Sequence, residues 1–352
     1  MNSIERVQAA IRFEKPDRVP FWDSPWDRFL PNWRRHLRLS PEVLPHDYYH
    51  SDIYLPIPAE EQFWVTARRK LGDDGEFEIH DDGWGRRVRI GRSGTYFCEP
   101  LDYSASSLAE LLKRPFDPPE LACRYTHLPA FIAAEARAQR PVFAKIGGIY
   151  CRSQFARGEA ELLMDMLLEP DDTMEFFTRV ARQQLRIGLE VLRRTNAWEN
   201  GLFVYDDMAG TTAPVFGPEL FARYLLPLYR QMIAEFKTAG CRHVYFHSDG
   251  NLLPHFDLLL EAGFEGFNPL EPRCGMDLPG LREKYGRRFV MFGGVCNTQI
   301  LPRGDKREIE RHVRPLLELA REGGIVLGCA SVGEDVDPAV YDWYRKLIEK
   351  YR

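Results

Sequence analysis

The stretch His243–Pro272, HVYFHSDGNLLPHFDLLLEAGFEGFNPLEP, decides the fold. It opens as an apolar, β-rich run over His243–His247, breaks at Ser248-Asp249-Gly250, continues with helical periodicity over Leu252–Ala262, and returns to an apolar run at Phe264–Pro269. An apolar run without polar alternation predicts a strand covered on both faces, and such strands are parallel because helices cross over between them. The same unit recurs outward in both directions. Val142–Gly148 (VFAKIGG), Leu202–Asp206 (LFVYD), Phe289–Gly293 (FVMFG) and Ile325–Gly328 (IVLG) read as further strands, and Pro218–Ala239 reads as the helix after the second of these. Serial βα units predict the α/β class. Two architectures compete, a doubly wound open sheet and a closed (β/α)8 barrel of the TIM type. A dinucleotide-binding open sheet would place GxGxxG after its first strand, and Gly147-Gly148 has no third glycine to follow. The barrel fits better, with its first strands drawn from Val19–Asp23 and Ile53–Leu55.

The rest of the chain is read around that barrel. The 352 residues are expected to form one domain, residues 1–352, with an N-terminal helix and loop elaboration and a β-hairpin insertion over residues 75–102. Phe21–Trp33 (FWDSPWDRFLPNW) is dense in aromatics and packs helices or lids an apolar substrate. The balance of 47 Lys and Arg against 52 Asp and Glu, net −5, offers no attraction to nucleic acid or anionic lipid. No stretch approaches the length of apolar sequence that spans a membrane. The start of the chain has no apolar signal region, and seven cysteines without CxxC spacing argue against a disulfide framework, so a cytoplasmic protein with reduced thiols is expected.

In a barrel, function gathers at the C-terminal strand ends. The residues there are Gly147-Gly148, Asp206-Asp207, His247-Ser248-Asp249, Glu271, Cys296-Asn297 and Cys329. Imidazole, carboxylate and thiolate together make a zinc-type donor set. Without a metal the same groups serve general acid and base chemistry. Each also has a plain structural reading: a buried Cys is a small hydrophobe, and a strand-end Asp is a helix cap. Cys98, Cys123, Cys151 and Cys274 are read as structural.

Five segments carry a resemblance. Glu5–Phe21 (ERVQAAIRFEKPDRVPF), Gly147–Asp171, Asp206–Ile233, His247–Leu252 (HSDGNL) and Gly293–Gly328 together resemble the uroporphyrinogen decarboxylase superfamily, in the right order and over most of the chain. That resemblance implies a (β/α)8 barrel and one of two chemistries, tetrapyrrole decarboxylation or methyl transfer to a corrinoid. The decarboxylases' Met-Arg-Gln-Ala-Gly-Arg run is replaced here by DSPWDRFLPNWRR at Asp23–Arg35, and their active-site Tyr and late His fall on Phe155 and Cys329. Only Ser51-Asp52-Ile53 is similar to the segment holding the decarboxylases' central Asp. An octacarboxylate substrate facing so few arginines is electrostatically disfavoured.

The corrinoid-dependent methyltransferase branch carries His-x-Cys and a distant Cys as zinc ligands. Those positions fall on His247, Asp249 and Cys329, with Asp249 in place of the middle Cys, and Cys296 and Glu271 are further candidate ligands. A carboxylate makes the metal harder, which suits activation of an ether oxygen, as in methyl aryl ether demethylation. The resemblance therefore implies a zinc-type metal on His247, Asp249 and Cys329 or Cys296, with Asp207 and Glu271 as catalytic residues and Asp206, Asp52 and Asn297 as substrate contacts. It also implies a small methyl donor, a corrinoid (cobalamin) carried by a partner protein, and a homodimer. The alternatives are a metal-free decarboxylase using Asp52 and Asp207, and a non-catalytic barrel that binds a corrinoid or tetrapyrrole.

Overall fold

A computed structural model describes residues 1–73, 75–91, 98–329 and 331–352 of the chain. Its centre is a seven-stranded parallel sheet built from Ile57–Pro58 (β1), Ala144–Gly147 (β6), Leu202–Tyr205 (β7), Val244–His247 (β8), Gly266–Leu270 (β9), Val290–Gly294 (β10) and Ile325–Gly328 (β11), paired in that order. The six strands read from the apolar runs are all present, Ile325–Gly328 with the expected bounds and the other five shortened or shifted by one or two residues. A second sheet, Arg69–Asp73 (β2), Phe77–Asp81 (β3), Arg86–Gly91 (β4) and Glu99–Tyr103 (β5), is antiparallel. The expected hairpin at 75–102 is thus a four-stranded meander that begins earlier, at Arg69; the part of it at 92–97 lies outside the described residues.

The parallel sheet has two separate cores, and strand alternation explains them. Val204, Phe246, Met291 and Leu327 point outward into the large core shared with the helices. Their neighbours Phe203, Tyr245, Phe292 and Val326 point the other way, into a smaller core with Trp22, Ile53 and Phe143. The Trp22 ring meets Phe203 at 5.8 Å and Phe292 at 6.2 Å, so side chains from distant strands touch across this interior. Such a filled, ringed interior is consistent with a (β/α)8 barrel.

The two edges of the sheet approach each other through the early chain. Phe21 forms a parallel bridge with Leu327, the Trp22 N–H donates to the Leu327 carbonyl at 2.9 Å, and the Asp52 N–H donates to the Phe21 carbonyl at 2.9 Å. Gly328 permits this closeness, since a Cβ there would lie 1.8 Å from the Trp22 carbonyl oxygen. The expected strands at Val19–Asp23 and Ile53–Leu55 are corrected accordingly: the first supplies a single bridge, and the second gives way to β1 at Ile57–Pro58. The reason is local. The Asp52 carboxylate, not a backbone carbonyl, takes the Phe21 N–H at 3.0 Å, and Pro56 and Pro58 have no N–H to donate to a ladder.

The helix Ser3–Ile11 begins with a capping box between Asn2 and Glu5 and inserts Val7 and Ile11 into the inner core. The Gly324 N–H, one residue before β11, donates to the Ala10 carbonyl at 2.7 Å. This helix therefore closes the N-terminal ends of the strands and leaves the C-terminal ends as the accessible face. The expected helix at Pro218–Ala239 is interrupted by a π-turn over Phe221–Leu225, immediately before Pro227, which lacks an N–H for the α-helical ladder. Among the described residues no helix is long and apolar enough to cross a membrane.

Candidate active site

Strand alternation that fills the floor with Phe143, Phe203, Tyr245 and Phe292 brings Lys145, Tyr205, His247 and Asn268 into the next layer up, on four adjacent strands. Tyr205 and His247 are register partners, and their rings stack at 3.7 Å with planes 12° apart. The Lys145 ammonium lies 3.9 Å from the centre of the Tyr205 ring. Because β6 and β8 flank β7 on opposite sides, the ring holds the cation on one face and the imidazole on the other.

His247 Nδ1 is 2.6 Å from Asn268 Oδ1. An amide oxygen only accepts, so Nδ1 carries the proton and Nε2 presents its lone pair to the mouth. There Asp207 Oδ1 stands 3.8 Å from Nε2. Asp207 also accepts the Asp249 backbone N–H at 3.1 Å, and Glu271 accepts the Gly250 N–H at 2.9 Å. The loops after β7, β8 and β9 are thereby tied together by two of the candidate carboxylates. The Asp249 carboxyl is pushed above its ordinary range, first by loss of water and further by the nearby charges of Asp207 and Glu271, against the opposing pull of His247.

Four predicted residues thus share one mouth: Asp207, His247, Asp249 and Glu271. The others have different employment. Cys329 follows Gly328 and turns outward, where its Sγ lies 3.7 Å from the Tyr344 hydroxyl and its N–H donates to Asp23 at 2.8 Å. Burial, followed by the Asp23 charge, holds this thiol well above its ordinary range, which is the opposite of what a thiolate ligand needs. The Cys296 N–H donates to His312 Nε2 at 3.1 Å, and its Sγ sits 4.0 Å from the Thr298 hydroxyl. Asn297 donates to the Ser331 hydroxyl at 2.9 Å. Among the described residues no group of three or more His, Cys, Asp and Glu side chains is gathered as a metal site in this conformation.

Asp206 and Asp52 are corrected from substrate contacts to structural anchors. Asp206 is fully buried and accepts the backbone N–H groups of Tyr150 at 3.3 Å and Cys151 at 2.6 Å, along with the Tyr229 hydroxyl. It caps the helix Ile149–Arg157, whose own N-cap, Gly148, has no side chain to do so. A Cβ on Gly148 would lie 2.0 Å from the Asp206 Cβ, so the glycine exists for this approach. Burial raises the Asp206 carboxyl to about 6, with the Tyr229 and backbone hydrogen bonds opposing it. Asp52, also fully buried, accepts from Arg6 at 2.6 Å, Arg352 at 3.0 Å, Ser3 at 2.9 Å and the Phe21 N–H, which uses up both oxygens.

Lys145, Tyr205 and Asn268 were missed in the sequence reading. Counting forward by two from Phe143 and Phe203 would have found Lys145 and Tyr205 on the same inward face as these floor aromatics. Arg152 was also missed. Its guanidinium lies over Gly147, where a Cβ would come within 1.8 Å of Nε, and it pairs with buried Glu61 at 2.7 Å.

A family model described as uroporphyrinogen decarboxylase (URO-D) matches residues 107–340. Among solved structures, a methyltransferase from Methanosarcina mazei superposes with a TM-score of 0.66 at 14% identity, covering 100% of both chains. A Listeria monocytogenes protein provisionally named a vitamin-B12 independent methionine synthase aligns at TM-score 0.35 and 13% identity, over 64% of this chain and 68% of that one. No curated protein matches in sequence. With two thirds of its length inside the family model and its parallel sheet shared with a solved methyltransferase, the chain belongs to the uroporphyrinogen decarboxylase family.

Proposed function

We propose that this protein is a metal-dependent methyltransferase of the family, one (β/α)8 barrel domain that moves a methyl group from a small donor, a methyl aryl ether, to a corrinoid on a partner protein. One observation carries the reading. The mouth presents a single imidazole, held by Asn268, among three carboxylates, Asp207, Asp249 and Glu271, while Arg273 beside them is paired with Glu271 and Arg152 is paired with Glu61. Among the described residues the unpaired cation at this mouth is the single Lys145 ammonium below the carboxylates, a balance that disfavours a tetrapyrrole with many carboxylates and still accepts a metal cation. The fold shared with a Methanosarcina mazei methyltransferase supports the same choice.

The donor types at the mouth fit a divalent metal. Nitrogen from His247 and oxygen from Asp249 would hold it, with Asp207 and Glu271 as the remaining donors, a harder set than one containing thiolates. When bound, the metal supplies Lewis-acid polarisation of the donor's ether oxygen. The chain's own part is positional. Asn268 keeps the proton on His247 Nδ1 so that Nε2 stays available, the Tyr205 ring fixes the imidazole plane, and the aromatic floor formed by Phe203, Tyr245 and Phe292 excludes water beneath the reacting oxygen. The pairing of Asp52 with Arg6 and Arg352 removes it from chemistry, which weighs against the metal-free decarboxylase built on Asp52 and Asp207.

The test is metal content of the purified protein together with methyl transfer from methoxybenzenes to cob(I)alamin, followed by the visible spectrum. Stoichiometric zinc and transfer that both disappear in His247→Ala support the proposal. Metal-free protein whose activity is indifferent to that substitution overturns it. Light scattering reads the homodimer that the family likeness implies.

A further inference from the structure

We propose that Lys145 holds a single negative charge on the molecule occupying the mouth, a carboxylate on the methyl donor. This rests on the methyl-transfer reading for the reaction, but the anion site itself follows from the layer of side chains below the carboxylates.

Lysine on a barrel strand pointing inward is costly, because an ammonium leaves water for a position directly above the buried Phe203, Tyr245 and Phe292. Inward-pointing positions one layer below are all aromatic or aliphatic, and a Met or Leu at 145 would fill the space without that cost. Among the described residues the Lys145 ammonium has no hydrogen bond and no ion pair; its close contact is the Tyr205 face at 3.9 Å. The charged groups around it are Glu61, Arg152 and Asp207. Glu61 is already neutralised by Arg152, whose Nε and Nη2 lie 2.9 and 2.7 Å from Glu61 Oε2, and Asp207 points outward at the mouth with 55% of its side chain exposed. The Lys145 ammonium, which burial disfavours, is left with three unspent N–H donors below the mouth, and an anion placed there would restore its charge. The side chain remains partly accessible, so a ligand entering past Asp207 and His247 reaches it.

The chemistry of the ligand follows from charge and shape. A dianionic phosphate would meet one lysine and the repulsion of Asp207, Asp249 and Glu271, whereas a monoanionic carboxylate is matched by a single ammonium. The residues packed beneath the mouth opposite β6–β9, Trp22, Ile53, Phe292 and Val326, are apolar, and the Trp22 indole N–H is committed to the Tyr54 carbonyl at 2.9 Å. The methyl aryl ether of the proposed reaction supplies the rest of the ligand, an aromatic ring bearing that one carboxylate. The ring's methoxy group would then lie toward His247 and the carboxylate toward Lys145.

Calorimetric titration with benzoate and its neutral isostere benzamide tests the site without reference to catalysis. Benzoate should bind the wild-type protein and benzamide should not. Lys145→Met, which keeps the length of the stem, should weaken benzoate by about tenfold or more, and Lys145→Arg should restore part of the loss. Thermal unfolding verifies that the Met variant is folded; removal of the buried charge should leave it at least as stable as wild type. Equal affinity for benzoate and benzamide, no binding of either, or undiminished benzoate binding by Lys145→Met overturns the proposal. Methyl transfer from methoxybenzoates against methoxybenzamides separates the two readings. Benzoate binding that depends on Lys145, with no transfer from any ether, leaves the anion site standing and removes the methyltransferase. Transfer that does not distinguish acid from amide does the reverse.

Discussion

The seam where the early chain meets β11 and the mouth formed by the ends of β7, β8 and β9 carry the same residue types and use them in opposite ways. At the seam, Asp23 is buried with both oxygens engaged: Oδ1 takes the Cys329 N–H at 2.8 Å, and Oδ2 takes the Tyr341 hydroxyl and the Arg345 guanidinium, each at 3.0 Å. Arg345 also lies 4.0 Å over the Phe21 ring. At the mouth, Asp207 and Asp249 are exposed, and each keeps lone pairs unspent. Position at a strand end does not separate a carboxylate with lone pairs to spare from an architectural one; the number of donors already committed to it does. Asp206 and Asp207 are adjacent in sequence and fall on opposite sides of that line.

The largest effect that could break this comparison lies at the seam. Replacing Asp23 with Ala leaves the Arg345 guanidinium buried and unpaired, and breaking such a pair costs about 3–5 kcal/mol. Urea unfolding should show that loss, whereas Asp207→Ala should change stability by no more than about 0.5 kcal/mol. Comparable losses at both positions would mean that the mouth carboxylate is structural too.

Next in size is the support of His247. Asn268→Ala removes the acceptor that fixes the imidazole tautomer, and loss of such a partner weakens metal binding by about 10–100-fold. Metal competition with a chromogenic chelator measures it, and unchanged affinity would remove His247 from the ligand set.

Asp206 gives a smaller effect with a pH signature. Asp206→Ala should cost about 1–2 kcal/mol through loss of the cap on Ile149–Arg157, while Asp206→Asn, whose single amide oxygen can still accept the closer Cys151 N–H, should cost less. The folded-state value of about 6 lies above the unfolded aspartate value, so the native state holds the extra proton between these limits and stability falls as pH rises through that window. The slope is at most about 1.4 kcal/mol per pH unit for one proton, and Asp206→Asn should flatten it in urea midpoints taken from pH 4 to 6.5.

Much of this architecture was legible in the sequence because parallel strands are continuous apolar runs, and all six such runs became strands. Val19–Asp23 and Ile53–Leu55 were less legible. Their pairing depends on the Asp52 side chain and on prolines, neither of which leaves a periodic signal. At the candidate site, the convergence of His247, Asp249, Asp207 and Glu271 could be read because they stand just past apolar runs. The direction of the cysteines was not legible because residue type at a strand end does not say which way a side chain turns; the extended backbone through Gly328 sends Cys329 outward toward Tyr344. Lys145, Tyr205 and Asn268 were hidden inside runs scanned for hydrophobicity.

The smallest expected effect is the sharpest test of the seam against the mouth. If Cys329 and Cys296 belong to the packing, Cys329→Ala and Cys296→Ala should each lower stability by about 1 kcal/mol, since small buried groups are lost without an unpaired charge being left behind. Metal content and the affinity measured by chelator competition should stay at the wild-type level in both variants and in the double variant. A thiolate ligand behaves otherwise: its loss releases the metal while stability in the metal-free state barely changes. Loss of metal from Cys329→Ala alone would mean that the segment after Gly328 turns inward when the cation is present, and Cys329 would then cross from the seam to the mouth. Retention of metal in the double variant, together with its loss in His247→Ala, would leave nitrogen and carboxylate oxygen as the protein's only donors and favour a hard ether oxygen over a thiol as the group the site activates.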